Sequence, residues 1–413
     1  MILTVAFRED KMTEIQEQPE LSEKITKSSS EVEAVVRKDL PENGPFWSRR
    51  MTNVLKTIAI ILMFCHHFFM IPDYHPDNIN YPWASFATNV FGLPTKICVG
   101  IFAFITGYMY CFNKNKNYKY AMESIWGLLK QYWTVAIPLI ILSIATGVSK
   151  FDIVGIIKTL TGYSSEVMRF GWYVYFFTFL MLFFPFLVRI SKDDTIVFSF
   201  LSLILFNILA CILFYRIDKD AFRLRLAYSN IWGTSLTAFS GYLVAKTGLF
   251  FKWKSFTDRI PTVLRYITFL LLADLAFMFP DLFYHWLFVP FRFEHIRIGL
   301  FVNAEFIYVP VFVFCLVELF SFIEKPHFNS EKKTHPLVRF FEIFGKYSTF
   351  LWFWHCMFFG VLGKYTKSIL YAPYSPVFVL IWGFMICLSL SFVSEKFLQF
   401  ITPKKHRSVS KEG

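Results

Sequence analysis

The sequence predicts an all-α integral membrane protein, a bundle of about ten transmembrane helices with both termini in the cytoplasm. Of its 413 residues, 55% are hydrophobic and only 17% are charged, and 53 of them are Phe. The apolar residues gather in runs of roughly 18 to 25, which is the length that a helix needs to cross the bilayer core. Because an open sheet edge cannot lie in lipid, we interpret every run as a helix.

The apolar runs define the spans in order along the chain. They lie near residues 53–71, 90–112, 124–147, 170–190, 195–215, 230–250, 262–280, 298–322, 340–362 and 374–400. Lys and Arg collect before the first span and after each of several even-numbered spans, at Arg49, Arg50, Lys114, Lys116, Lys119, Arg189, Lys192, Lys252, Lys254, Arg259, Lys325, Lys332, Lys333, Lys404, Lys405 and Arg407. Basic residues of short loops face the cytoplasm, so this distribution predicts a cytoplasmic location for both termini. It also accounts for the net charge of +12 without nucleic acid as a partner.

The termini differ from the membrane domain in composition. Residues 1–50 are rich in Glu, Lys, Ser and Gln, which predicts a disordered cytoplasmic tail. The opening MILTVAF is too short for a signal-peptide core and is followed at once by charged residues. Residues 51–403 are predicted to form a single membrane domain, and residues 404–413 a basic cytoplasmic tail.

The cysteines predict neither a disulfide framework nor a metal site. All 7 fall inside or at the edge of predicted spans, and none has a partner at metal-ligand spacing. We therefore interpret them as small packing residues and expect no metal.

One basic residue and one histidine share a face of the first span, VLKTIAIILMFCHHFF (Val54–Phe69). Lys56 and His67 are eleven positions apart. At about 100° per residue, this spacing returns the helix to within roughly 20° of the same face, about 16 Å further along the axis. Ionisable groups inside a span are costly and mark functional sites. His67 is either a catalytic base or a hydrogen-bonding structural residue, whereas His66 points roughly 100° away from this stripe.

Further charges fall in unexpected places. Arg216, Lys219, Arg223 and Arg225 lie between the fifth and sixth spans, on the predicted outer side. Either the loop tolerates this charge, or Arg223 and Arg225 line a site for an anionic group. Asp274, Glu305 and Glu318 lie within predicted spans, where they form interhelical hydrogen bonds or belong to a site.

The first span resembles the first helix of the acyltransferase 3 family, bacterial multi-span enzymes that acylate surface glycans and related molecules. The family pattern is a basic residue, ten intervening residues and a histidine, which places Lys56 and His67 at those positions. The sequence departs from the pattern with Lys56 in place of the usual Arg and Asn53 in place of the usual Asp.

Other stretches resemble the family in the same order along the chain. They are KICVGIFAFITGYMY (Lys96–Tyr110) with its Thr106-Gly107-Tyr108 end, Gly171-Trp172-Tyr173, Ser240-Gly241-Tyr242-Leu243, Gly345-Lys346-Tyr347-Ser348 and Trp354-His355. Gly100 stands where the family frequently has an acidic residue.

The resemblance implies transfer of an acyl group, most simply acetyl, from acyl-coenzyme A to a hydroxyl of a cell-surface glycan or lipid-linked sugar, in the plasma membrane. A histidine with a pKa near working pH suits the removal of a hydroxyl proton. A basic residue at the cytoplasmic mouth would attract the phosphates of coenzyme A. His67 is thus the expected base and Lys56 the expected donor cation. Thr106, Trp172, Arg223, Arg225 and His355 are further candidates for the substrate pocket.

A transporter or flippase of a polysaccharide or lipid-linked precursor is the alternative, with the buried charges along its substrate pathway. Such transporters often contain two related halves, and the sequence shows no internal repeat. The expected partners are the lipid bilayer and a glycan or lipid-linked acceptor. The oligomeric state stays open.

Overall fold

The computed structural model describes residues 44–69, 93–113, 115–162, 166–190, 234–283, 305–328 and 335–402. This part of the chain is helical and has no strand, which confirms the all-α prediction. Its helices are α1 (Arg49–Phe69), α2 (Ile97–Cys111), α3 (Tyr118–Ala145), α4 (Ile153–Leu160), α5 (Trp172–Ile190), α6 (234–247), α7 (Leu249–Thr257), α8 (Thr262–Phe283), α9 (Glu305–Phe328), α10 (Pro336–Lys346), α11 (Ser348–Trp354), α12 (Gly363–Tyr371) and α13 (Pro376–Ile401), with 3₁₀ turns at Leu93–Lys96 and His355–Phe358.

Within these residues, 7 helices are long and apolar enough to cross a membrane. They correspond to the predicted spans that became α1, α2, α3, α5, α8, α9 and α13. The predicted span 195–215 lies outside the described residues. The count of about ten spans and the cytoplasmic orientation of the termini stay predictions.

The predicted span over 340–362 is not a single continuous helix. The chain there forms α10, α11 and a 3₁₀ turn, with a break at Tyr347, whose φ of −93° and ψ of 2° leave the helical region. Hydropathy reports apolar residues and does not detect such a break. The break separates α10, which lies against α1, from α11, which ends at His355.

The helix ends define two poles of the bundle. At the basic end, the first turn of α1 meets the last turns of α2 and α9. Phe46 N donates to the Tyr108 hydroxyl at 2.8 Å, and Arg50 pairs with Glu324 at 2.7 Å and with Glu342 at 3.3 Å. At the opposite end, the Phe68 carbonyl of α1 accepts a hydrogen bond from the Tyr371 hydroxyl of α12 at 2.8 Å.

Two glycines allow α2 and α6 to cross in backbone contact. A Cβ on Gly107 would lie 1.6 Å from the Ala238 carbonyl oxygen, and a Cβ on Gly241 would lie 2.2 Å from the Phe104 carbonyl oxygen. Any side chain at either position would force the helices apart, which is the role of small residues at membrane helix interfaces. These glycines belong to two of the stretches that carry the family resemblance, and their role is packing.

The outer helices present apolar faces outward. Val263 of α8 is 75% exposed and Phe400 of α13 is 85% exposed, whereas α1 and α2 form the centre of the bundle. Exposed apolar faces of this kind suit contact with lipid. They are consistent with the membrane location expected from composition.

A network of ion pairs links the C-terminal part of α7 to α8 and α9. Lys254 Nζ lies 3.2 Å from both Asp258 and Glu318, and Asp258 also pairs with Arg265. Burial disfavours the Lys254 ammonium, but the Glu318 and Asp258 carboxylates outweigh this effect, so the pKa of Lys254 is raised above its ordinary value. Glu318, a buried charge inside a predicted span, thus has an interhelical ion pair as its role.

Candidate active site

Helix α1 is continuous over Arg49–Phe69, so the predicted stripe exists. Lys56 and His67 lie on one face of it, about 16 Å apart along the axis. Arg49 joins the same stripe, because it precedes Lys56 by two turns and lies about 27 Å from His67 along the axis. The face that sequence spacing predicted therefore carries two cations and an imidazole.

Two histidines distant in sequence form a pair. His67 Nδ1 lies 2.9 Å from His355 Nε2, and the two rings are nearly parallel, with 2° between their planes. Phe170 covers His67 with a centroid distance of 3.8 Å. His355 is fully buried, and His67 is partly buried. His355, a candidate pocket residue from the sequence, is thus the direct partner of His67.

The hydrogen bonds assign the proton positions in this pair. His355 Nδ1 contacts the Trp352 carbonyl oxygen, which can only accept, so His355 Nδ1 carries a proton. In a neutral His355 ring, Nε2 is then an acceptor, and His67 must donate from Nδ1. His67 Nε2 therefore keeps its lone pair, and in the described part of the chain it has no hydrogen-bond partner. This nitrogen is the basic atom of the site.

Lys56 lines a cavity of about 310 Å³ between α1, α2, α3, α5 and α11. Its lining consists of Lys56, Phe102, Thr106, Ser124, Gly127, Leu128, Gln131, Tyr173, Phe177, Ser348, Thr349, Trp352 and Phe353. No carboxylate in the described residues pairs with the Lys56 ammonium. An unpaired cation in a partly apolar cavity favours an anionic ligand.

Trp352 separates this Lys56 cavity from the histidine pair. Its indole packs against Tyr173 at 4.7 Å and Phe102 at 5.4 Å, and its Nε1 donates to the Phe170 carbonyl at 3.2 Å. On the other side, its ring meets that of His355 at a centroid distance of 6.4 Å. One side chain therefore forms the wall of the cavity and also contacts the pair.

The other candidates from the sequence divide into three groups. Thr106 lines the cavity together with Tyr173, and its hydroxyl donates to Phe102 O of its own helix. Trp172 does not line the cavity and packs against Tyr173 and Phe176. Arg223 and Arg225 lie outside the described residues.

His66 points away from the pair, as its position on the helix predicted. Its Nδ1 lies 3.3 Å from the Thr95 hydroxyl, on the side of α1 that faces the start of α2. Its contacts are therefore distinct from those of His67.

Sequence reasoning missed the α3 face of the cavity. Ser124, Gly127, Leu128 and Gln131 recur at i, i+3, i+4 and i+7, which places them on one side of the helix. The polar Ser124 and Gln131 within the predicted span 124–147 were the signal that was available. The role of Trp352 had no such signal, since it depends on the turn after α11.

Glu305 fills the space beside Gly100, where the family frequently has an acidic residue. It is only 2% exposed, and a Cβ on Gly100 would lie 3.1 Å from its Oε2. Among the described residues, this Oε2 has no hydrogen-bond partner. The carboxylate at this place therefore comes from α9 and not from α2.

A bundle of membrane-length helices that encloses a buried pair of histidines and a cavity lined by a lysine defines a class, that of integral membrane proteins with an internal polar site. The family comparison is specific. Residues 52–395 match the model of the acyltransferase domain of the acyltransferase 3 family, and the chain belongs to this family. It is therefore a membrane acyltransferase. No curated protein and no solved structure matches the chain significantly.

Proposed function

We propose that this protein moves an acyl group, most simply acetyl, from acyl-coenzyme A to a hydroxyl of a cell-surface glycan or lipid-linked sugar. It acts as a multi-pass protein of the plasma membrane, with the basic end towards the cytoplasm. The observation that carries the proposal is the His67–His355 pair, which leaves His67 Nε2 as a basic nitrogen, with Trp352 between this pair and the cavity that Lys56 lines.

The donor approaches from the basic end, where two cations of α1 are available. Lys56 lines the cavity, and Arg49 is exposed on the same stripe without an ion pair in the described residues. Arg50, the neighbour of Arg49, is held by Glu324 and Glu342 and is therefore not free for a ligand. Phosphate groups of coenzyme A would bind Arg49 and Lys56, while the thioester arm occupies the cavity towards Trp352.

The transfer step uses His67 as general base. His67 Nε2 takes the proton of the acceptor hydroxyl as that oxygen attacks the thioester carbonyl. The carbon–oxygen bond forms, the carbon–sulfur bond breaks, and the leaving thiolate takes the proton from His67. The positive charge that His67 carries meanwhile is stabilised by the chain of hydrogen bonds through His355 to the Trp352 carbonyl.

The test of this function is donor binding by purified protein. Calorimetry with acetyl-coenzyme A should give binding that Lys56→Glu weakens, because a carboxylate would repel the phosphates. Lys56→Arg should keep or improve binding through bidentate contact. Lys119→Glu is the matched control, since Lys119 is exposed, lies near the same end on α3 and does not line the cavity.

The opposite result would favour the transporter alternative. A flippase needs no thioester and should bind none. If folded protein shows no binding of acyl-coenzyme A, and Lys56→Glu leaves acylation of the cell surface unchanged, the acyltransferase mechanism proposed here is wrong.

A further inference from the structure

A second cavity lies at the opposite end of the bundle. It has a volume of about 570 Å³ and is formed by the last turns of α3, the loop to α4, α4 itself and the segment before α5. Its polar lining includes Ser143, Ser149, Lys150, Asp152, Lys158 and Glu166. We refer to it as the Lys158 cavity.

The Lys158 cavity is linked to the histidine pair by a short segment. Glu166 and Val167 line the cavity, and three residues further on Phe170 stacks on His67. The Glu166 carbonyl also accepts a hydrogen bond from Val361 N at 2.8 Å, which ties the segment to the turn that follows His355. Glu166 and Val167 in the cavity lining and Phe170 over His67 therefore belong to one short segment that is held by a backbone hydrogen bond.

The histidine pair lies between the two cavities along the bundle. Helix α3 lines the Lys56 cavity up to Gln131 and the Lys158 cavity from Ile140 onward, a separation of roughly 13 Å along the axis. Tyr132 stands between them, with its ring against Phe353 at 5.1 Å and its hydroxyl bonded to the Thr159 carbonyl at 2.5 Å. The pair thus has Trp352, a wall of the Lys56 cavity, on one side, and Phe170, three residues after Val167 of the Lys158 cavity, on the other.

The lining of the Lys158 cavity suits a neutral, hydroxylated ligand. Its two lysines are balanced by two carboxylates, so it does not select for charge. Lys150, Lys158 and Glu166 form no ion pair in the described residues, whereas Asp152 accepts from Val154 N and Gly155 N and caps α4. Ammonium donors, a free carboxylate and serine hydroxyls are complementary to the hydroxyls of a sugar.

Helix α4 presents an exposed apolar face beside this cavity. Ile153, Val154 and Ile157 are exposed on one side of the helix, while Gly155 and Thr159 face the cavity. An exposed apolar face on a short helix suits the interfacial region of a bilayer. A sugar of a surface glycan or of a lipid-linked carrier would be found at that depth.

We propose that the Lys158 cavity is the acceptor site and binds a sugar ring whose hydroxyl reaches His67 from the side opposite the donor. This inference rests on the proposed acyl transfer. It adds the location of the acceptor, and it assigns to Lys158 and Glu166 the role of holding that ring.

The test blocks the cavity from outside. Six of the seven native cysteines are buried. The seventh, Cys211, is replaced by serine, so that a maleimide labels the engineered cysteine. Lys158→Cys would carry a membrane-impermeant biotin maleimide inside the cavity. Thr161→Cys, exposed and outside the lining, is the matched control. Right-side-out vesicles loaded with radioactive acetyl-coenzyme A report transfer as alkali-labile label, and donor binding is measured in parallel.

Labelled Lys158→Cys should lose transfer relative to the same unlabelled variant and keep donor binding, while labelled Thr161→Cys keeps both. Full labelling at Lys158→Cys with an unchanged rate of transfer would overturn the acceptor site. If the unlabelled parent transfers nothing, the proposed function fails, and the site is judged by sugar protection alone. Methyl glycosides of hexoses and N-acetylhexosamines should then slow labelling of Lys158→Cys and not of Thr161→Cys, and equal rates would reject it.

Discussion

The role of His355 can be separated from that of His67 by a change that keeps the shape of the ring. His355→Phe removes the nitrogen that accepts from His67 Nδ1 but retains an aromatic side chain against Phe170, which lies 5.2 Å away and nearly parallel. His67 would then lose the bond that fixes its orientation and its tautomer. His355→Gln is the matched variant, because its amide oxygen can still accept this proton.

The expected size of the effect follows from the charge on His67. In the transition state His67 becomes an imidazolium, and a hydrogen bond to a charged group is worth about 1.5–3 kcal/mol. At about 1.36 kcal/mol per tenfold in rate, His355→Phe should lower kcat roughly 10- to 150-fold. Loss of the base itself in His67→Ala should cost more, about 10²- to 10⁴-fold.

The assay is release of free coenzyme A from acetyl-coenzyme A by purified protein supplied with membranes that contain the acceptor. The KM for the donor should stay unchanged in His355→Phe, and His355→Gln should recover part of kcat. Since His355 acts through His67, the double variant with His67→Ala should be no slower than His67→Ala alone. An unchanged kcat in His355→Phe, or losses that multiply in the double variant, would refute the orienting role.

Three further predictions concern other parts of the molecule. His66→Ala should reduce the rate of acyl transfer less than His67→Ala does, because His66 lies off the face of α1 that carries Lys56 and His67. Equal losses in the same rate assay would show that this face is wrongly assigned. Gly107→Ala should lower the free energy of unfolding by about 1–3 kcal/mol through overpacking, whereas Gly127→Ala, with open space at its Cβ, should not, as thermal unfolding in detergent will report. The raised pKa of Lys254 means that its contribution to stability is present below the ordinary lysine pKa of about 10.4 and is lost as pH rises through the higher folded value. The melting temperature of Glu318→Gln should therefore fall less than that of the parent protein when the pH becomes strongly alkaline. An equal fall of the melting temperature in both proteins would contradict this.

Composition and spacing determined the class, most of the spans and the reactive face of α1. A helix has a fixed period, so the positions of Lys56 and His67 on one stripe follow from their separation alone. Apolar length likewise locates a helix that crosses lipid, and the helices formed near residues 53–71 and 374–400 show how closely this works. These are local properties of the chain.

The partner of His67 was decided by tertiary structure. His355 is 288 positions away, and the contact requires the break at Tyr347 and the turn after α11, neither of which changes the hydropathy of the segment. The same holds for Trp352 as the wall of the Lys56 cavity. Contacts between distant segments depend on how helices cross, and periodicity contains no information on crossing.

Glu305 beside Gly100 is a second contact between distant segments that the sequence did not predict. The sequence indicated only that a usual carboxylate was missing at position 100. The structure shows a carboxylate from α9 at that place, because the absence of a side chain at Gly100 leaves space that Glu305 fills. The sequence thus determined the membrane fold and the chemistry along one helix. The tertiary structure decided which side chains of other helices complete the site, since that depends on the three-dimensional packing of segments far apart in the chain.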